Sequence, residues 1–217
     1  MKAIGARIYL DTNVLDSVYT LMKWDAGEED KRSRESTHLD MEKNMASLFY
    51  VLDRGEEQWD MNFGTSQFTK EEIDRINPER DPEYYKEKVP DLYLAFETFR
   101  ELSSDQFERD KRANKMPDAQ EATLKRALLR RVGDPDDVRH LLEFKNSGWE
   151  IFLTIDWEHV LSNRRALANL GLCVTSPLDL LESILPLDTV IRTLHGSWAK
   201  RPKIFRPGSN RWADEGE

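Results

Sequence analysis

Two short apolar runs constrain this chain more than any other feature. Ile8-Tyr9-Leu10 ends on Asp11, and Ile151-Phe152-Leu153 runs through Thr154 to Asp156. Both read as buried strands: short, apolar and bounded by polar residues. Each is followed at once by a helical pattern. Val14, Leu15, Val18, Leu21 and Met22 share one face after Asp11, and "EHVLSNRRALANLG" follows Asp156 as far as Gly171. Strand, short polar turn and helix, repeated, predict a mostly parallel sheet with helices on both faces. Parallel pairing brings Asp11 and Asp156 to one edge, the edge at which open α/β sheets bind ligands.

The remaining elements fit the same alternation. "MEKNMASLFYVLDRG" predicts an amphipathic helix stopped at Gly55, and "DMNFGTSQF" a short strand before the helix start "TKEEIDRI". The highly charged stretch around 23–40 reads as a polar insertion. Prolines at 78, 82, 90 and 117 frame a second insertion, 77–117, carrying its own helix in "DLYLAFETFRELSSDQF". "DAQEATLKRALLRRV" and "DPDDVRHLLEFKNSG" predict two more helices. "LCVTSP" is a last strand and "PLDLLESI" a last helix. Residues 1–184 thus form one domain, and 185–217 an extended tail, since Pro202, Pro207 and Gly208 oppose a long helix.

Charged residues make up 34% of the chain and its formal net charge is −9. A surface that bound polyanions throughout would be basic, so any phosphate contact must come from local basic segments. The single cysteine, Cys173, has apolar neighbours and reads as a small core residue. Asp11 interrupts the apolar N-terminus, no apolar run has the length of a membrane span, and the expected location is the cytoplasm.

Two carboxylates at one sheet edge repel unless a cation sits between them, and a hard divalent ion is the natural occupant. Each Asp taken singly is explained by capping the next helix; a Thr beside each, Thr12 and Thr154, strengthens the pair. A third carboxylate is expected from Asp134, Asp136 and Asp137, all placed where a helix dipole favours them. Asp137 is in phase with Leu141 and Phe144 and faces inward. Glu72 is a fourth candidate, although Thr69 and Glu72 have capping-box spacing.

In this order, "YLDTNVL", "TKEEI", "DDVRHLLEF" and "FLTID" resemble the PIN domain, a family of metal-dependent nucleases. Asp11, Glu72, Asp137 and Asp156 match its four acidic positions. His140 matches a histidine of one branch of the family, although as a residue it reads as a packed or hydrogen-bonded helix position. "LGLCVTSPLDLLESI" resembles the family's closing strand and helix. The resemblance implies a three-layer α/β/α fold with helical insertions and cleavage of RNA phosphodiesters. It also implies Mg²⁺ or Mn²⁺ held by Asp11, Asp137 and Asp156, with Glu72 binding metal or orienting water.

Asn13 and Thr154 are candidates for substrate contact, as are Lys125, Arg126, Arg130 and Arg131 of "LKRALLRR". The tail mixes Lys200, Arg201, Lys203, Arg206 and Arg211 with Trp198, Phe205 and Trp212, a composition suited to single-stranded nucleic acid. A haloacid-dehalogenase-like phosphatase would want an Asp where Asn13 stands. The second reading is a PIN-fold module that binds RNA or protein without cutting. A toxin held by an antitoxin-like partner, or a homodimer, belongs with these expectations.

Overall fold

All four strands run parallel, in the order β2-β1-β3-β4, in the computed structural model, which describes residues 5–25, 39–80 and 82–195. They are β1 (Ala6–Leu10), β2 (Met61–Gly64), β3 (Ile151–Leu153) and β4 (Val174–Thr175). Tyr9 aligns with Gly64 on one side and Phe152 on the other, so all the carboxyl ends face one way.

Alternation along each strand sends successive side chains to opposite faces, and helices cover both. On one face, Ile8, Leu10 and Leu153 pack with α1 (Thr12–Asp25), α2 (Leu39–Trp59) and α8 (Pro177–His195), through Val14, Leu48 and Leu180. On the other, Tyr9, Phe152 and Val174 meet α5 (Asp118–Leu129), α6 (Pro135–Ser147) and α7 (Arg164–Ala168), through Leu128, Phe144 and Leu167. Tyr9 stacks on Phe152 with ring centroids 5.2 Å apart. The chain is therefore mixed α/β with an all-parallel sheet between two helical layers. Among the described residues, no helix is long and apolar enough to cross a membrane.

Three elements differ from expectation. The helix expected within 77–117 is far longer: α4 (Pro82–Asn114) continues through Pro90. It feeds Val89, Phe96 and Phe99 into the first core and Phe107 into the second, and it packs beside the edge strand β2. Pro82 sits at the first helical position, where a missing N–H costs nothing. Pro90 is tolerated inside, which is why proline punctuation misjudged the segment. In α8 the helix runs through Pro186 to His195, so 185–195 is helical and not extended. After β3, a turn and a 3-10 segment, Leu161–Asn163, precede the short α7.

Cys173 is exposed, a correction to its reading as core. Val174 is the inward residue of edge strand β4, and alternation turns its neighbour out. Most of the 23–40 stretch (26–38) and the basic-aromatic tail (196–217) lie outside the described residues.

Chain order creates a crevice. The connection leaving β1 runs to β2 on one side through α1 and α2. The connection leaving β3 runs to β4 on the other side through α7. β1 and β3 are adjacent, so the topological switch point lies between their carboxyl ends, where Asp11 and Thr154–Asp156 emerge.

Candidate functional site

Asp11 leaves β1 through a backbone hydrogen bond from its N–H to Leu153 O, 3.1 Å. Its side chain is buried, with Oδ1 accepting from Thr12 N at 2.8 Å and Oδ2 from the Thr154 hydroxyl at 2.7 Å. Burial, opposed in part by His140 and Thr154, raises its pKa. Thr154 is fully buried and also accepts from Asp156 N at 3.0 Å and Asn13 Nδ2 at 3.2 Å. Asn13 Oδ1 accepts from Ile155 N at 3.2 Å. Thr154 and Asn13, expected to touch substrate, thus spend their polar groups fastening β1 to β3 and holding Asp11 in place.

Asp156 is held by its own turn. Its Oδ1 accepts from Glu158 N at 2.9 Å and His159 N at 3.0 Å, which leaves Oδ2 for the crevice. His159 Nδ1 lies 3.4 Å from Asp156 Oδ2 and 3.8 Å from Asp137 Oδ2. His159 was not anticipated from the sequence; the signal was its place three residues after Asp156, one turn of chain away.

The three acids that open α6 have separate tasks. Asp134 is the N-cap, accepting from Asp136 N at 2.7 Å and Asp137 N at 3.2 Å. Asp136 faces solvent and pairs with Arg75 at 3.0 Å. Asp137 turns into the crevice. Burial, then the charges of Asp11, Asp156 and Asp134, push its pKa up to about 7, with His159 opposing. Asp134→Ala should therefore cost about 1 kcal/mol of stability through the lost cap, and lower the melting temperature by a few degrees. An unchanged melting curve would deny the cap its role.

Glu72 enters from α3 (Gln67–Asp74). The capping-box reading fails, because the helix begins two residues before Thr69. Ser66 is the cap, accepting from Phe68 N at 3.2 Å, while Thr69 is buried and bonded to Thr65. Glu72 instead bonds the Thr12 hydroxyl, and its Oε2 lies 3.0 Å from His140 Nε2. The adjacent Glu71 points outward to Arg139, 2.8 Å away. His140 is buried, and its Nδ1 shares a 2.7 Å hydrogen bond with the Tyr9 hydroxyl, which also meets Ser66 Oγ at 2.7 Å. Burial pulls the His140 pKa down, but Glu72, Asp11 and Asp137 outweigh it and the net shift is upward. Burial pushes Glu72 up, yet His140 and Thr12 hold it below the usual range. Both shifts favour the charged forms, imidazolium on His140 and carboxylate on Glu72.

Among the described residues, Asp137, Asp156 and His159 form the group best placed to hold a cation: one ligand atom from each lies within 4.8 Å of the others. Ligands about 2.1 Å from an octahedral ion stand roughly 3 to 4 Å apart, so slight closure of these side chains would admit one. Asp11 stands behind this group and contributes charge to it.

Lys125, Arg126, Arg130 and Arg131 are not drawn into the crevice. They are exposed on α5 and the turn after it, and none forms an ion pair among the described residues. Arg130 and Arg131 line a groove of about 440 Å³ with Ala127, Ala166, Asn169 and Leu170. One wall belongs to α5, which leads into Asp137; the other belongs to α7, which follows Asp156. Compared with protein-family models, curated proteins and solved structures, this chain matches none.

Proposed function

We propose that the protein is a metal-dependent endoribonuclease with a PIN-like site. The observation that carries the reading is the crowding of Asp11, Asp137 and Asp156 at the switch point, strong enough to push Asp137 up to about 7. A divalent cation among them would turn that repulsion into attraction. Asp137 and Asp156 would hold Mg²⁺ or Mn²⁺, with His159 as a nitrogen ligand and Asp11 acting directly or through water. When bound, the ion supplies Lewis-acid polarisation of the phosphate and a water of lowered pKa. Glu72, oriented by Thr12 and His140, would bind metal or orient the attacking water. Lys125, Arg126, Arg130 and Arg131 would take the phosphates of the strand beyond the site.

One feature favours the second reading, a module that binds RNA or protein without cutting. Glu72 is engaged by both Thr12 and His140, and a residue so held can serve the fold alone. Metal binding and cleavage separate the two readings. A ligand that binds only the native state at ten times its Kd adds about 1.4 kcal/mol of stability. Mn²⁺ should raise the melting temperature of the wild type, and Asp156→Asn should lose that rise. Equal shifts in both proteins would remove the shared metal site. Binding of RNA without Mn²⁺-dependent cleavage would select the non-cutting module.

A further inference from the structure

Trp157 stands between two residues of the site and contributes to neither core. It follows Asp156 directly and precedes His159 by two positions, and the side chains of those two neighbours meet 3.4 Å apart. The residue is 48% exposed, the most exposed large hydrophobic residue among those described. The turn that carries it is pinned from within, since Asp156 Oδ1 accepts two backbone N–H groups and Leu161 N bonds Asp156 O at 2.8 Å. An exposed indole on a fixed turn, between Asp156 and His159 in the chain, is a preformed flat surface.

The charges around it narrow what can lie there. Asp137, Asp156 and Glu158 surround the turn, and the Glu158 side chain is 86% exposed. Phosphates are repelled at this spot unless a metal offsets the carboxylates. Stacking on a base face carries no such penalty, because the base is uncharged. Exposed cations without an ion pair among the described residues stand further on, Arg130 and Arg131 among them, in the groove beside α7.

We infer that Trp157 is a stacking platform for an unpaired nucleobase flanking the scissile phosphate. This rests on the ribonuclease reading above and adds a base-binding residue to it. A duplex keeps its base faces within the helical stack and offers the indole nothing. The α5–α7 groove then holds the backbone on the far side of the site, so stacking and phosphate contact are divided between two places.

The test measures anisotropy of a labelled, unstructured 12-nucleotide RNA and of its duplex. The protein is an Asp137→Asn background, with and without Trp157→Ala or Trp157→Phe. Stacking on an aromatic side chain predicts that Trp157→Ala weakens single-strand binding roughly 5- to 100-fold. Duplex binding should not change, and Trp157→Phe should stay within a few-fold of the parent. Trp157 is exposed, so the melting temperature should hold. If Trp157→Ala binds the single strand as tightly as the parent, the platform is refuted while the ribonuclease reading stands. If instead it lowers the mass in light scattering and leaves RNA binding alone, the indole packs on a second copy of this chain and the inference is overturned. If the parent binds neither RNA, the inference and the ribonuclease reading fall together.

Discussion

Asp137→Asn and Asp156→Asn should each lower Mn²⁺-dependent RNA cleavage by at least about 100-fold, above the roughly 10- to 100-fold typical of losing a ligand's supporting partner. Asp136→Asn should leave the rate within about twofold, as expected of a surface substitution. The contrast is sharp because the two aspartates are adjacent in one helical turn. Asp137 faces Asp11 and Asp156, whereas Asp136 lies outside and pairs with Arg75. Initial rates on a labelled RNA over a Mn²⁺ series would decide it. Loss of activity in Asp136→Asn with retention in Asp137→Asn would place the site on the wrong face of α6.

The same substitution should stabilise the metal-free protein. Burial and neighbouring carboxylates raise the Asp137 pKa from 3.8 to about 7. The native state therefore prefers the protonated acid. That preference contributes its full stability below about pH 4 and is lost as pH rises through about 7. Taken at face value the loss is roughly 4 kcal/mol. Asp137 is partly exposed, and solvent screening brings the expected figure to about 2 kcal/mol. Asp137→Asn cannot ionise and escapes the loss. Its melting temperature at about pH 8 without metal should exceed that of the wild type by roughly 4–8 °C. The difference should shrink to nothing by about pH 4, and saturating Mn²⁺ should reverse it. A wild type more stable than Asp137→Asn at about pH 8 in the presence of chelator would show that the carboxylates are not crowded as described.

The two outcomes together would describe a site that trades stability for cation binding. Crowded carboxylates cost free energy in the empty protein. Only a cation, or removal of one charge, recovers it. His159 lightens the burden in the metal-free state because its imidazole stands beside both Asp137 and Asp156, and those carboxylates raise its own pKa against the opposing effect of desolvation.

Much of this architecture is local information. Ile8-Tyr9-Leu10 and Ile151-Phe152-Leu153 are strands because each is a short apolar run, and the Asp that ends each one must emerge where the strand ends. Parallel pairing then needs nothing more than the intervening helices. The inward phase of Asp137 follows from Leu141 and Phe144 on its own helix, and the gathering of Asp11, Asp137 and Asp156 at one edge is legible from these patterns alone. Proline misled the reading where tertiary packing tolerates it: Pro90 sits inside α4, whose buried face outweighs one missing hydrogen bond. Thr69 and Glu72 have the spacing of a cap, yet Ser66 takes that role, because the helix begins where its first free N–H groups find an acceptor.

Other features depend on distances between residues far apart in the chain, which no local pattern encodes. Tyr9, Ser66 and His140 come from a strand, a loop and a helix, and their hydrogen bonds exist only once β1 lies beside β2 and under α6. That network aims Glu72, and not Glu71, at the crevice. The sequence by itself determined the strand ends, the parallel sheet and the aspartates at its edge, since these follow from periodicity within a few residues. The tertiary structure alone decided that α4 joins both cores, that Thr154 and Asn13 brace Asp11, and that His159 stands beside Asp137 and Asp156. The physical reason is the same in each case: burial and hydrogen bonding are set by what the rest of the chain brings alongside.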